Sequence, residues 1–351
     1  MNRGAEITGW GMHVPETVLT NAELEKMVET NNDWIVSRSG IRERRVLAPG
    51  QKTSDLGLEA GRRALTCAGV SAKDVDIIML ATATPDRPIP GSSHRIQADI
   101  GATDAGAFDL NAGCTGFIYG LALATSMVQA GGVNTVLLIG AESLTRFTDY
   151  TDRSTCVLFG DAAGAVVVQA GEPDLGLIGY KLGSAGEHLE ILTVRAGGSE
   201  MPASEETVAA RRHYIHMDGQ EVFRRAVMGM AEVTEQALKV AGVTSDEVDL
   251  VIPHQANARI IDATARRLGV PPEKVVQNID RYGNTSAATI PMALCEALAD
   301  GRVKPRSLLA LCAFGAGLAW AAGVVRWGDR VDPVGVSGAE HEGGAPRPMD
   351  L

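Results

Sequence analysis

Short runs that are apolar at nearly every position recur along this chain, separated by longer helical stretches. The runs include VDIIML (75–80), NTVLLIGA (134–141), VDLVI (248–252) and SLLALCAF (307–314). Two copies of one pattern stand out. Residues 64–80, ALTCAGVSAKDVDIIML, match 237–253, ALKVAGVTSDEVDLVIP, at an offset of 173, with identities at Ala68/Ala241, Gly69/Gly242, Val70/Val243 and Asp76/Asp249 among others. Each copy predicts a helix ending at glycine, a short acidic turn, and a strand beginning at Val75 or Val248. Further on, GCT (113–115) aligns with GNT (283–285) at an offset of 170, each opening a helical stretch that closes near Gly131 or Gly301. That alignment makes Asn284 the positional twin of Cys114. NTVLLIGA lies opposite SLLALCAF in the same order. Strands separated by helices at this spacing predict an α/β protein with mostly parallel sheets covered by helices, built as two pseudo-symmetric halves.

The break between the halves falls at GEPDLG, so the expected units are 1–175 and 176–328. Residues 329–351 lack hydrophobic periodicity and are expected to form a disordered tail. The polar segment 196–212 is expected to be a surface loop or flap.

With 351 residues, 45% of them hydrophobic, the chain is long enough for a large buried core. It opens without a basic segment followed by an apolar run, and no stretch approaches the roughly 18 apolar residues of a membrane span. No signal peptide and no membrane association are therefore expected. Five cysteines (Cys67, Cys114, Cys156, Cys295, Cys312) are odd in number and lack CxxC spacing. They support neither a disulfide framework nor a metal site, and suggest a cytoplasmic location. A net charge of −11 argues against nucleic-acid binding, so an acidic partner must dock on a local basic patch.

Three residues carry candidate chemistry. Cys114 follows strand-like AFDL (107–110) and a tight NAG turn, and begins an apolar helix in which Gly116, Gly120 and Ala122 permit close packing. In the first helical turn it meets free N–H groups and the positive end of the dipole, both of which favour a thiolate. His254 stands just beyond the strand VDLVI, and Asn284 follows the strand-like KVVQNI at the start of a helix. Taken singly, these residues also read as a buried small hydrophobe, a capping histidine and an N-cap. Together they would converge at the carboxyl edge of a parallel sheet, where α/β sites lie.

The blocks GCTGF, IPHQANARIIDATA and RYGNTSAATIPMAL, with TNAELEKMVETNNDWIVSRSGIRERR, TDRSTCVLFGDAAGA and AFGAGLAW, resemble the β-ketoacyl-ACP synthase III family of the thiolase superfamily. The resemblance covers about residues 5–327. It implies a thiolase-like α-β-α-β-α sandwich, a homodimer, and no cofactor beyond the substrates acyl-CoA and malonyl-acyl carrier protein. Cys114 would take the acyl group, and neutral His254 and Asn284 would support decarboxylation. The backbone N–H groups of Cys114 and Ala316 would form the oxyanion hole, with Ala316 standing where the family commonly has glycine. Thr30, Trp34, Arg38, Arg153, Gly219, Phe223, Ala256 and Asn257 would hold CoA: Trp34 offers a stacking face, and the two arginines suit phosphates. Gln255, Ala256, Asn257, Ala258, Arg259, Arg224, Arg266 and Arg267 would dock the carrier protein. Leu144, Phe159, Leu192, Ile215 and Met217 would line the acyl pocket. Ile89 falls where a partner subunit often supplies an aromatic gate, and an aliphatic residue there would admit branched or longer chains.

Four rivals compete. A thiolase needs a second catalytic cysteine, but Cys312 is one residue out of register and, in a strand, faces the other way. A chalcone-synthase-like enzyme usually has GFGPG where this chain has AFGAG. A homologue from specialised metabolism would supply polyketide starters, or transfer acyl groups to oxygen or nitrogen. A silent partner subunit usually lacks the nucleophile.

Overall fold

The computed structural model of the chain describes residues 3–335. Nine strands form the main sheet: β1 (Gly4–His13), β2 (Ile77–Ala81), β3 (Gly106–Leu110), β4 (Thr135–Ser143), β5 (Asp161–Gly171), β6 (Gly176–Ser184), β7 (Leu250–Pro253), β8 (Leu308–Gly315) and β9 (Ala319–Arg326). Their order is β7-β8-β9-β6-β1-β5-β4-β2-β3. The first half supplies β3-β2-β4-β5-β1 and the second β7-β8-β9-β6. They meet where Ala5 of β1 pairs in parallel with Gly176 of β6. A parallel bridge from Val275 to Val251 of β7 fills, in the second half, the place that β3 takes beside β2.

The helices that matter for the site are α1 (Asn32–Ser39), α2 (Thr53–Ala68), α3 (Gly116–Gln129), α4 (Gly219–Ala241), α5 (Ala258–Leu268) and α6 (Thr289–Ala299). α2 covers β1, β4 and β5 on one outer face, and α4 covers β6, β8 and β9 on the other. α3 and α6 touch strands of both halves and form the middle layer. Their sequences account for that place. α6 is buried from Thr289 through Leu298, and α3 is apolar on nearly every side and buried at most positions, which suits a place between two sheets. The result is the expected α-β-α-β-α layering.

The internal repeat survives at the level of single hydrogen bonds. α2 and α4 end at Gly69 and Gly242, with φ of +68° and +71°, which glycine adopts without steric penalty. Asp76 accepts hydrogen bonds from the N–H of Asn134 and Thr135 at the start of β4. Its twin Asp249 accepts one from Leu308, which opens β8. The strands begin two residues later than expected, at Ile77 and Leu250, because Val75 and Val248 close the intervening 3-10 turns. Across the junction, Trp10 of β1 and Trp327 beyond β9 meet edge to face at 5.6 Å, a contact worth about 0.5–1.5 kcal/mol beyond burial.

Two expectations change. The turns that precede α3 and α6 are 113–115 and 286–288, so the offset of 173 also holds here. Gly113 (φ +52°) and Ser286 (φ +48°) occupy the same left-handed corner. The twin of Cys114 is therefore Ala287, not Asn284. The identity of GCT with GNT misleads because the corner, not the neighbouring glycine, sets the register. The expected tail also begins too early. Residues 329–335 are packed, with the N–H of Val334 and the guanidinium of Arg330 both donating to the carbonyl of Cys67. Residues 336–351 lie outside the described part. Segment 196–212 is largely exposed and carries a short helix, Glu205–Ala209.

Candidate active site

Cys114 sits in the tight turn between β3 and α3, with its sulfur opening on a cavity. Two glycines make that place possible. Gly113 supplies the left-handed corner. Gly315 passes so close that a side chain there would begin 2.7 Å from the Cβ of Cys114. The methyl group of Ala316 packs against Gly113, where a Cβ would lie 3.4 Å away, so alanine fits this loop. The backbone N–H groups of Cys114 and Ala316 both hydrogen-bond the sulfur. These are the two donors expected for an oxyanion hole. Burial nevertheless pushes the thiol up to about 11, against the pull of a hydrogen bond from Ser286 and of the two N–H groups. The resting group is a thiol. The thiolate anticipated from the helix start does not overcome desolvation.

His254 leaves the end of β7 with its N–H donating to the carbonyl of Cys312 at 2.7 Å, and its side chain is buried. Burial alone holds its imidazole down to about 3, so the ring is neutral. Nδ1 lies 2.7 Å from the hydroxyl oxygen of Thr289, which lies 2.9 Å from the carbonyl of Ser286. When that hydroxyl donates to Nδ1, the imidazole keeps its hydrogen on Nε2. Asn284 is held by its backbone to the segment after Cys156. Its N–H donates to the carbonyl of Leu158, and its own carbonyl accepts from Gly160. The side-chain oxygen accepts from the N–H of Ser286 at 2.8 Å, which leaves the amide NH2 for the cavity.

Cys114, His254 and Asn284 line one narrow cavity of about 90 Å³. Of the residues expected around them, Gly219, Phe223, Ala256 and Asn257 share its wall, as do Phe159, Leu192 and Met217. Leu144 and Ile215 stand behind that wall, in a small apolar cluster with Phe159. Ile89 is 86% exposed and takes no part in the cavity of its own chain. A larger depression of about 410 Å³ lies beyond Phe314, against α4, but holds none of the three reactive side chains.

α1 borders the cavity mouth. The side-chain amide of Asn257 donates to the carbonyl of Arg38, and Gly40 abuts Ala258. The guanidinium of Arg153 lies 4.9 Å over the Trp34 ring, so two groups expected to bind nucleotide meet each other. The hydroxyl of Thr30 nearby is buried without a hydrogen-bond partner. On α5, Arg259, Arg266 and Arg267 are exposed, and Ala258 is half-buried at its start. Arg267 pairs with Glu232 and Arg224 with Glu221, whereas Arg259 stacks on Phe223. Gln255 is a correction. It is 1% exposed, and its amide binds the carbonyls of Pro253 and Val276 and the N–H of Asn278, so it has no surface for a partner. The resemblance puts it among the docking residues, but the amide braces the loop internally.

Several residues of the site were not among those expected, including Leu158, Val222 and Ile260 of the cavity wall. Phe314 and Gly315 line the cavity, and Thr289, Ser286 and Glu142 surround the reactive groups. Only Glu142 left a signal, as a carboxylate within the apolar run of β4. Cys312, the second cysteine a thiolase would need, is fully buried against Thr234 of α4 and lies outside the cavity. Among the described residues the cysteines form no disulfide, no cluster could hold a metal ion, and no helix is long and apolar enough to cross a membrane.

Comparison with known proteins gives the family. The family model for 3-oxoacyl-[acyl-carrier-protein (ACP)] synthase III matches residues 108–186, and the model for its C-terminal part matches 238–327. The chain is 53% identical over 323 residues to the β-ketoacyl-[acyl-carrier-protein] synthase III of Roseiflexus sp. (strain RS-1), covering 92% of this chain and 98% of the relative. It is 51% identical to that of Symbiobacterium thermophilum, covering 93% and 99%. The crystal structure of 3-oxoacyl-[acyl-carrier-protein] synthase III from Aquifex aeolicus VF5 matches with a TM-score of 0.85 at 44% identity, covering 92% of this chain and all of that one.

Proposed function

This chain belongs to the β-ketoacyl-[acyl-carrier-protein] synthase III family of condensing enzymes, and we propose that Cys114, His254 and Asn284 carry its reaction. The enzyme joins an acyl group from acyl-CoA to malonyl-ACP with loss of CO2, giving 3-oxoacyl-ACP, the first condensation of fatty acid synthesis. The observation that carries the residue assignment is the convergence of a thiol, a neutral imidazole and a free carboxamide on one cavity.

In the first half-reaction the sulfur of Cys114 attacks the thioester carbonyl. Negative charge develops on the carbonyl oxygen beside the N–H groups of Cys114 and Ala316. A donor in that role is worth about 3–4 kcal/mol. CoA departs and the acyl group remains on sulfur. Malonyl-ACP then enters the same mouth. As its carboxylate leaves as CO2, charge builds on the thioester oxygen, where Nε2–H of His254 and the amide of Asn284 donate hydrogen bonds. Neutral histidine suits this role, because an uncharged donor does not itself bind the malonyl carboxylate, which must be lost. The carbanion attacks the acyl carbon and expels the sulfur.

CoA binds along α1, with Trp34 and Arg153 opening to take the nucleotide and the Thr30 hydroxyl finding a partner there. The carrier protein, itself acidic, docks on Arg259 and Arg266 of α5, two exposed cations that pair with no carboxylate among the described residues. A cavity of about 90 Å³ has room for about three water volumes, which suits a short acyl chain. A homodimer fits the uncovered edge strand β3 and the exposed Ile89. Five cysteines without a disulfide suit a reducing cytoplasm.

Intact-protein mass spectrometry after exposure to acetyl-, isobutyryl- and octanoyl-CoA tests this reading. A single acyl adduct on Cys114 is expected, formed at least about tenfold more slowly from octanoyl-CoA, because overfilling a packed site costs about 1–3 kcal/mol. No adduct from any acyl-CoA would refute the assignment.

A further inference from the structure

β4 carries one carboxylate inside its apolar run, Glu142, which is fully buried. The condensation as described makes no use of it. Its partners are donors. The N–H of Ala83 lies 3.2 and 3.1 Å from its two oxygens, the hydroxyl of Thr84 lies 2.6 Å from Oε2 and that of Thr82 lies 3.3 Å away. Each threonine hydroxyl already accepts a backbone N–H, from Thr84 for Thr82 and from Ser143 for Thr84, so its proton is directed to Glu142. The N–H of Ala287 donates as well. Burial raises the carboxyl of Glu142, and the donors of this cage oppose that rise by favouring the anion. One remaining neighbour can both give and take a proton. The turn of Ser286 packs against both the strand of Glu142 and the turn of Cys114, and its hydroxyl stands between the carboxylate and the thiol. Ser286 is buried and holds a left-handed backbone (φ +48°) that serine rarely adopts.

We propose that Glu142, acting through the Ser286 hydroxyl, accepts the proton of the Cys114 thiol and so activates the nucleophile. The inference rests on Cys114 being the acyl acceptor, as argued above. His254 is unsuited to that role, since burial holds its imidazole down to about 3 and makes it a poor acceptor for the thiol proton. The two jobs fall to two groups. In the relay the S–H bond breaks as its proton passes to the Ser286 oxygen, while the Ser286 proton passes to the Glu142 carboxylate. Charge moves from Glu142 to sulfur, and no other reactant is required. CoA leaves as thiolate and takes a proton from solvent. When condensation later expels the Cys114 thiolate, the same path returns the proton from Glu142. Ser286 touches the reacting atom and is catalytic; Glu142 is a positioning residue that acts through it. The segments packed against Glu142, at 82–84, Ala162 and 286–287, bring no other ionisable side chain, which leaves Cys114 as the group its charge bears on.

The test is alkylation of Cys114 by iodoacetamide across the pH range, read by mass spectrometry of the Cys114 peptide. A thiol and a carboxylate that share one proton titrate as a pair, so the wild-type rate should stay nearly flat from about pH 6 to about pH 8. In E142Q and S286G the plateau should vanish. The rate should fall at least about tenfold at neutral pH and then climb about tenfold per pH unit. S286G is the safer variant, because glycine favours the left-handed corner while removing the hydroxyl. A purely electrostatic role for Glu142 makes the opposite forecast: deleting its negative charge would ease ionisation of the thiol, so E142Q would react faster than wild type. Faster alkylation in E142Q, or a plateau retained in S286G, would overturn the relay. Alkylation involves no acyl-CoA. A wild-type plateau lost in both variants, in an enzyme that takes no acyl group, would support the relay and refute the proposed function instead.

Discussion

The two halves of this molecule turn the same corner and put different chemistry on it. In the first half, Gly113, Cys114 and Thr115 lead into α3. In the second, Ser286, Ala287 and Ala288 lead into α6, at a constant offset of 173 and with the same left-handed first residue. The first corner holds Cys114, the proposed nucleophile. The second holds alanine at the matching place and works through the residues around it: Asn284 before the corner, Ser286 on it and Thr289 behind His254. Duplication thus supplies two rigid elbows facing each other across the middle layer, and the reaction needs them to be unlike. One must bond to the acyl group, and the other must hold donors still.

The sharpest way to break this comparison is to move the thiol. C114A should abolish condensation by at least about a thousandfold, as nucleophile deletions do, and A287C added to C114A should not restore it. Steady-state assays decide, and activity in the double variant would show that the elbows are interchangeable. Next in size, H254A and N284A should each slow decarboxylation about 100-fold or more while leaving the Cys114 acyl adduct intact, a split between half-reactions seen by mass spectrometry and CO2 release.

pH sharpens the contrast. Because burial holds His254 down to about 3, below its ordinary 6.5, the native ring stays neutral as pH falls through that ordinary value. Decarboxylation of malonyl-ACP should therefore change less than about twofold between about pH 7.5 and about pH 5.5. The linked stability has a definite sign. Below pH 6.5 the unfolded chain protonates this histidine and the native chain does not, so His254 weakens the fold progressively as pH drops towards 3. Thermal melts of wild type and H254Q across that window should converge as acid is added. Smallest of all, R259A and R266A should raise KM for malonyl-ACP about threefold to tenfold and leave acylation by acyl-CoA unchanged, as expected for charges that steer a partner.

Much of this was legible in the sequence because each half announces itself by a helix-ending glycine, an acidic turn and an apolar strand, and these determine local backbone geometry directly. Cys114, His254 and Asn284 could be placed at one sheet edge on that pattern. The pairing of Cys114 with Asn284 as twins failed, because a backbone dihedral at Ser286 does not show in a string of letters and GNT mimics GCT. The resemblance put Gln255 on a docking surface, yet its amide is used up by three backbone groups, which a motif does not show. The tail looked featureless at 329–335, but Arg330 stacks over Trp10 and binds the carbonyl of Cys67, contacts that no local pattern reveals. Glu142 was passed over for the converse reason: a single acid in a β-run reads as an exposed face until the neighbouring layers are known.

One chase experiment bears most directly on the roles of the two elbows. Enzyme carrying an acetyl group from acetyl-CoA is freed of excess CoA ester and mixed with malonyl-ACP, and both proteins are weighed through a single turnover. The adduct should leave Cys114 as 3-oxobutyryl-ACP forms, with one CO2 released for each acetyl group lost. An adduct that persists, or an acetyl group that transfers without CO2, would contradict a condensation carried by Cys114.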